Sequence, residues 1–325
     1  DTLTGGAGAD TASYSGSFEA VTVDLAAGTG TGGDAAGDSY SGIENVEGSS
    51  GDDALAGDAA ANMLSGGDGN DSLSGGLGAD TLTGGNGFDS ASYTSSTTAV
   101  SVNLLSGQGA GGAAAGDVFS GIEAVIGSDF NDTLAGDINA NLLSGGLGND
   151  SLFGDAGVDT LTGGAGNDTI GGGAGGDSLD GGSGIDTLDY SGSATAVTVD
   201  LQAGSATGGD AAFDTFTGFE NILGSANADS LMGDGGANVI DGGAGNDTLF
   251  GGAGGDTLIG GAGSDTVDYS GSTVAVTIEI GGVSSGGDAE GDVLSLIESV
   301  FGSGYNDILR GDGSGNLLDG RDGND

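Results

Sequence analysis

A nine-residue period runs through this chain and limits its fold more than any other feature. Residues 66–92 read GGDGNDSLS, GGLGADTLT and GGNGFDSAS, or G-G-x-G-x-D-x-U-x with U apolar. One such unit cannot bury a face alone, so near-identical units must stack and share a core. Glycine at places one, two and four suits backbone with positive φ and converging carbonyls. Place eight is apolar, as in Leu73, Leu82, Leu152, Leu161, Ile170, Leu179, Leu188, Leu249 and Leu258. Places seven to nine therefore predict a three-residue strand with its middle side chain inward. Serine or threonine at place seven predicts an outer row of hydroxyls.

A longer period is laid over the short one. The nonapeptides form blocks at 48–92, 127–189, 224–268 and 302–325, each preceded by an insert at 14–47, 93–126, 190–223 or 269–301. The inserts open on Tyr14, Tyr93, Tyr190 and Tyr269, which are 79, 97 and 79 residues apart. The longer interval exceeds the others by 18, two nonapeptides. Motifs added in pairs imply two nonapeptides per coil, since a single addition would turn everything after it to the opposite side. The expected architecture is an all-β solenoid, one continuous body over 1–325 with no linker, carrying four larger insert coils. Both ends, Asp1 and Asp325, fall at place six of a motif, which reads as a segment of a longer chain.

Charge excludes several functions. The chain carries 49 acidic residues against two arginines, a formal charge of -47, and has no histidine, cysteine or lysine. No basic patch can be built for nucleic acid or for an anionic membrane surface. No apolar run is long enough for membrane insertion. The commonest catalytic bases and thiolate ligands are missing. Acids do recur, at place six of nearly every motif: Asp10, Asp53, Asp71, Asp80, Asp89, Asp132, Asp150, Asp159, Asp168, Asp177, Asp186, Asp229, Asp247, Asp256, Asp265 and Asp307. Stacked about 5 Å apart, two carboxylates repel by roughly 3 kcal/mol at an effective dielectric of ~20. A hard dication between them reverses that sign. Calcium suits a cage of carboxylates and carbonyls better than magnesium does, and its binding and folding should be coupled.

The tandem motifs resemble the RTX, or haemolysin-type, calcium-binding repeats. The resemblance implies a right-handed parallel β-roll with two nonapeptides per coil and roughly 10–20 Ca2+ ions. It places each ion between stacked turns, held by carbonyls and by place-six aspartates 18 residues apart. The sixteen aspartates named above are then the metal ligands. Candidate pairs are Asp53 with Asp71, Asp71 with Asp89, Asp150 with Asp168, Asp159 with Asp177, Asp168 with Asp186, Asp229 with Asp247, and Asp247 with Asp265. Secretion by a type I system from a Gram-negative bacterium, with folding in extracellular calcium, is also implied. Asn62, Asn141, Asn238 and Asn316 replace the aspartate in four motifs, where weak or absent sites are expected. The motifs opening GS at Gly48, Gly127, Gly224 and Gly302 are intermediate.

Each insert holds an alternating stretch, AVTVDL (20–25), AVSVNL (99–104), AVTVDL (196–201) or AVTIEI (275–280), that reads as a half-buried strand. Its tyrosine stands where a motif glycine should be and should widen the coil, either in the core or as a ligand platform. Two acids recur, Asp38, Asp117, Asp214 and Asp292, then Glu44, Glu123, Glu220 and Glu298. They read either as a second kind of calcium site or as solvated or turn-capping carboxylates. If an insert equals an odd number of half-coils, all four lie on one face; if even, they alternate.

Two functions fit. The first is an extracellular, non-enzymatic structural or adhesive protein, a calcium-stiffened rod of a filament, surface layer or adhesin, with self-association as a partner mode. The alternative is the C-terminal folding and secretion region of a secreted enzyme such as a protease or lipase. Four recurring inserts, and no residue cluster that occurs only once, favour the first.

Overall fold

The computed structural model describes every residue, Asp1–Asp325. Strands of three residues occupy places seven to nine, as at Ala54–Ala56, Ser72–Ser74 and Ser90–Ser92. In some motifs the strand runs on through the next glycines, as at Met63–Asp68 and Thr81–Asn86. The remaining regular elements are four three-residue 3-10 turns, one per insert. No helix is long and apolar enough to cross a membrane.

Successive strands alternate between two parallel sheets, and pairing within each sheet has the 18-residue register that the spacing predicts. Leu73 lies between Leu55 and Ala91 in one sheet, while Leu82 pairs with Leu64 in the other. This is a β-roll with two nonapeptides per coil. Place-eight side chains form the core, with Leu64, Leu73, Leu82, Leu152, Leu161 and Leu249 all at 0% exposure. The strands are so short that each delivers one inward side chain.

The chain divides into two compact units, Asp1–Asp155 with Thr160–Ala165, and Ala156–Asp159 with Gly166–Asp325. Each contains two inserts, and the inserts break the parallel rule in one way. In the first, Thr22–Asp24 pairs antiparallel with Thr29–Thr31, which returns antiparallel to Ser39–Ser41. This meander is spliced between Thr2–Thr4 and Ala54–Ala56. On the opposite sheet Thr11–Ser13 pairs directly with Asn45–Glu47. An insert is thus one coil, widened on one side by a hairpin. It counts as two half-coils, an even number, so the five-motif block between the two inserts of each unit places them in opposite sheets. In the first unit the second meander, from Ser101–Asn103 to Val118–Ser120, lies in the sheet opposite the first. The second unit repeats this, with the third insert in one sheet and the fourth in the other.

The hairpin bends have local causes. Asp24 and Asp200 accept the N–H three residues on, from Ala27 and Ala203, the side-chain-to-backbone closure that favours a turn. The opening tyrosines lie in the core, at 1% exposure for Tyr93 and 2% for Tyr190.

Leu73→Ala should cost about 2–5 kcal/mol, because the rigid sheets on either side cannot collapse into the space. Ser74→Ala, on the outer surface, should stay within about 0.5 kcal/mol. Denaturant midpoints at one fixed calcium concentration test the pair, and equal shifts would contradict the inward assignment of place eight.

Candidate metal centres

The strands of a coil are joined by turns made of places one to six, and the geometry repeats along each edge of the roll. The place-six carboxylate folds inward, and one oxygen accepts the backbone N–H of the place-six residue 18 positions earlier. Asp71 Oδ1 takes Asp53 N–H at 2.8 Å and Asp89 Oδ1 takes Asp71 N–H at 2.7 Å. Asp177, Asp186, Asp247 and Asp265 do the same to Asp159, Asp168, Asp229 and Asp247. Asp80 and Asp256 accept from Asn62 and Asn238. Of the expected pairs, six are joined in this way. Asp150 and Asp168 belong to different units; Asp150 accepts from Asp132.

The second oxygen is the chemically informative one. In Asp71, Asp80, Asp89, Asp177, Asp186, Asp247, Asp256 and Asp265, Oδ2 is buried and no hydrogen-bond donor reaches it. A buried carboxylate oxygen without a donor is costly. Each of these oxygens lies over the place-one glycine of its own motif, where an added Cβ on Gly66, Gly75 or Gly84 would overlap it. Carbonyls of the coil before project into the same gap. A Cβ on Gly67 would come within 2.6 Å of Ser49 O, and one on Gly69 within 2.6 Å of Gly51 O. Both glycines have positive φ, +118° and +120°, so glycine is required here twice over, by conformation and by space.

No three acidic side chains converge at one point. Most donors around an ion would therefore be backbone carbonyls, with carboxylates adding charge. Orphaned anionic oxygens facing carbonyls, with no donor between, match the oxygen-rich and flexible environment that calcium takes. Ions between the turns would be held by the place-six Oδ2 and by place-two and place-four carbonyls, and would cancel the like charges that now face one another.

Burial shifts these carboxyls upward. It raises Asp71, Asp80 and Asp247 to about 6, with the facing acids adding to the effect. Asp89, Asp177, Asp186, Asp256 and Asp265 are also raised, mainly by burial.

Some other place-six residues have both side-chain oxygens engaged by their own motif. In Asp53, Asp132, Asp229 and Asp307 the place-two serine of the same motif donates its N–H to Oδ2 and its hydroxyl to Oδ1. Asp10 Oδ2 accepts Gly6 N–H. Asn62 accepts Asp58 N–H and turns its amide onto the Glu44 carbonyl at 2.8 Å. A neutral donor thus stands where other motifs present an unshared anion.

The recurring insert acids also join these edges, at offsets no 18-residue count would find. Asp117 Oδ1 accepts Asp80 N–H across 37 residues, and its Oδ2 accepts the Tyr93 hydroxyl at 2.7 Å. Tyr190 and Asp214, and Tyr269 and Asp292, repeat this pairing. Glu123 Oε2 accepts Asp89 N–H across 34 residues. The Asp and Glu of one insert therefore serve different edges. Sequence reading singled out both but missed the tyrosine contact; the constant 24-residue spacing of Tyr14 to Asp38, Tyr93 to Asp117 and Tyr190 to Asp214 was its signal. It also missed Val21, Val100, Val197 and Val276, whose N–H groups donate to Asp53, Asp132, Asp229 and Asp307. Each valine starts a new edge.

The sequence matches the RTX calcium-binding nonapeptide repeat over residues 1–13, 38–70, 56–91, 119–152, 126–161, 153–188, 214–249, 223–258, 241–271 and 296–325. The chain belongs to this family. What the match omits, 14–37, 92–118, 189–213 and 272–295, is the leading part of each insert, the part that builds the antiparallel hairpin. No curated protein matches the chain.

Because the folded pKa of these aspartates lies above the unfolded value, their ionisation opposes the metal-free fold. That fold is favoured below about pH 4, the unfolded carboxyl range, and the advantage is lost as pH rises through about 6. In chelator, circular dichroism should show β-structure fading between these limits. Calcium affinity should fall as pH drops through 6, because protons and metal compete. Calcium affinity independent of pH over this range would contradict the assignment.

Proposed function

We propose that this RTX chain is a secreted, non-enzymatic structural or adhesive element that stays unfolded at low calcium and stiffens into a β-roll in the millimolar calcium outside the cell. The observation that carries this reading is the row of buried Oδ2 atoms without donors. A metal-free roll at neutral pH must hold these anions against one another, and a chain of charge -47 repels itself further. Calcium removes both penalties and binds the folded state alone, so it shifts the folding equilibrium by mass action.

Resemblance to other RTX proteins supports export by a Gram-negative type I system, for which an extended, unfolded chain is suited. The structural role, as against a folding tail for an enzyme, draws on the inserts. All four present the same tyrosine–aspartate contact, and the acidic constellations recur, whereas an active site is normally singular. Within each unit the paired hairpins lie in opposite sheets, an arrangement suited to self-association.

Circular dichroism should show coil in chelator at pH 7 and β-structure on adding millimolar calcium, with a cooperative midpoint. No gain of β-signal would overturn the reading. Asp71→Ala removes a carboxylate flanked by Asp53 and Asp89, and should lower both the calcium stoichiometry and the cooperativity. Asn62→Ala should leave the stoichiometry unchanged. Equal losses would count against the site assignment.

A further inference from the structure

We infer that each junction where a nonapeptide block enters an insert holds a calcium site completed by the insert glutamate, a residue outside the nonapeptide pattern. The inference rests on the calcium reading above and extends it to Glu123, Glu220 and Glu298.

Three independent features converge at the second insert. Asp89 Oδ2 is buried, at 0% exposure for the residue, and has no donor. A Cβ on Gly84 would overlap both that oxygen and the carbonyl of Gly121. In regular coils the same position over a place-one glycine is taken by the next place-one carbonyl, as Gly66 O over Gly48 and Gly145 O over Gly127. Gly121 therefore reproduces the carbonyl of a motif that is not there. Glu123 supplies the carboxylate, bonded to Asp89 N–H at 2.8 Å as a place-six aspartate would be.

The chain length explains the change of residue type. A regular motif has five residues between the end of one strand and its aspartate. Here only Gly121 and Ile122 separate Val118–Ser120 from Glu123. The short loop cannot reach as far into the gap, and the extra methylene of glutamate, roughly 1.5 Å of reach, restores the contact. In the third insert Asp186, Gly218 and Glu220 repeat the arrangement.

The fourth insert gives the sharpest support. Leu296 replaces the glycine, yet it keeps left-handed φ at +55° and holds its carbonyl over Gly260, beside Asp265 Oδ2. A leucine in this region is strained, and such strain persists only where surrounding structure imposes it. At 59% exposure its side chain gains little from the position. The carbonyl direction is what is retained. The opposite edge of each insert differs, because there the tyrosine hydroxyl already donates to the carboxylate.

The test is calcium titration of the whole chain by native mass spectrometry and calorimetry, with calcium alone as the probe. Glu123→Gln keeps an oxygen for Asp89 N–H but removes the charge. It should lower the ion count by one, and the triple variant with Glu220→Gln and Glu298→Gln by three, with β-structure still forming at saturating calcium. Glu47→Gln, whose side chain meets the Ser13 hydroxyl on the surface, should leave the count unchanged. Should the triple variant fail to fold, the single variants carry the test one junction at a time. Full ion counts in the glutamine variants would overturn the junction sites while leaving the nonapeptide sites standing. A wild-type chain that binds no calcium would overturn both.

Discussion

The structure depends on one hydrogen bond repeated along each edge, from a place-six N–H to the carboxylate one coil later. Between nonapeptides it holds the 18-residue register, and across each insert the same N–H finds an insert carboxylate instead. It also commits one carboxylate oxygen and leaves the other facing carbonyls. Fold and metal requirement thus come from the same contact. Asparagine at Asn62 stacks its coil by another contact, its oxygen accepting Asp58 N–H and its amide donating to the Glu44 carbonyl.

The edge therefore has a composition that varies along its length. After Val21 comes Asp53, closed by its own serine, then Asp71 and Asp89 with unshared oxygens, then Glu123. The second unit repeats the order from Val197 through Asp229, Asp247 and Asp265 to Glu298. Other edges finish on Asp117, Asp214 and Asp292, where a tyrosine hydroxyl meets the last carboxylate. Unshared carboxylate oxygens run from the middle of each block to its entry into the next insert, whereas the coil that follows an insert closes its own.

Most of the fold was legible in the sequence because the repeat is strict. Place eight identified the core leucines, and the two-motif difference between tyrosine spacings identified the coil. The place-six aspartates were legible as candidate ligands for the same reason. Other features were hidden by physics that acts at other offsets. Val21 looks like an ordinary strand residue, but its N–H begins an edge across 32 residues. The hairpin that splices an antiparallel meander into a parallel sheet was read only as one half-buried strand. The parity of the inserts could not be counted until that hairpin was seen to add strands to one side alone. The serine closure at Asp53 was invisible too, since serine for glycine at place two looks like simple decay of the motif.

The tyrosine–aspartate contact bears on a hazard of all near-identical tandem arrays. Coils that differ so little can zip together one step out of place, with each leucine still meeting a leucine. A slip of that kind would strand the Tyr93 hydroxyl away from Asp117 and push a hairpin against a turn that has no room for it. The inserts are checkpoints against misalignment: they make the correct pairing the only one in which every buried phenol finds its acceptor.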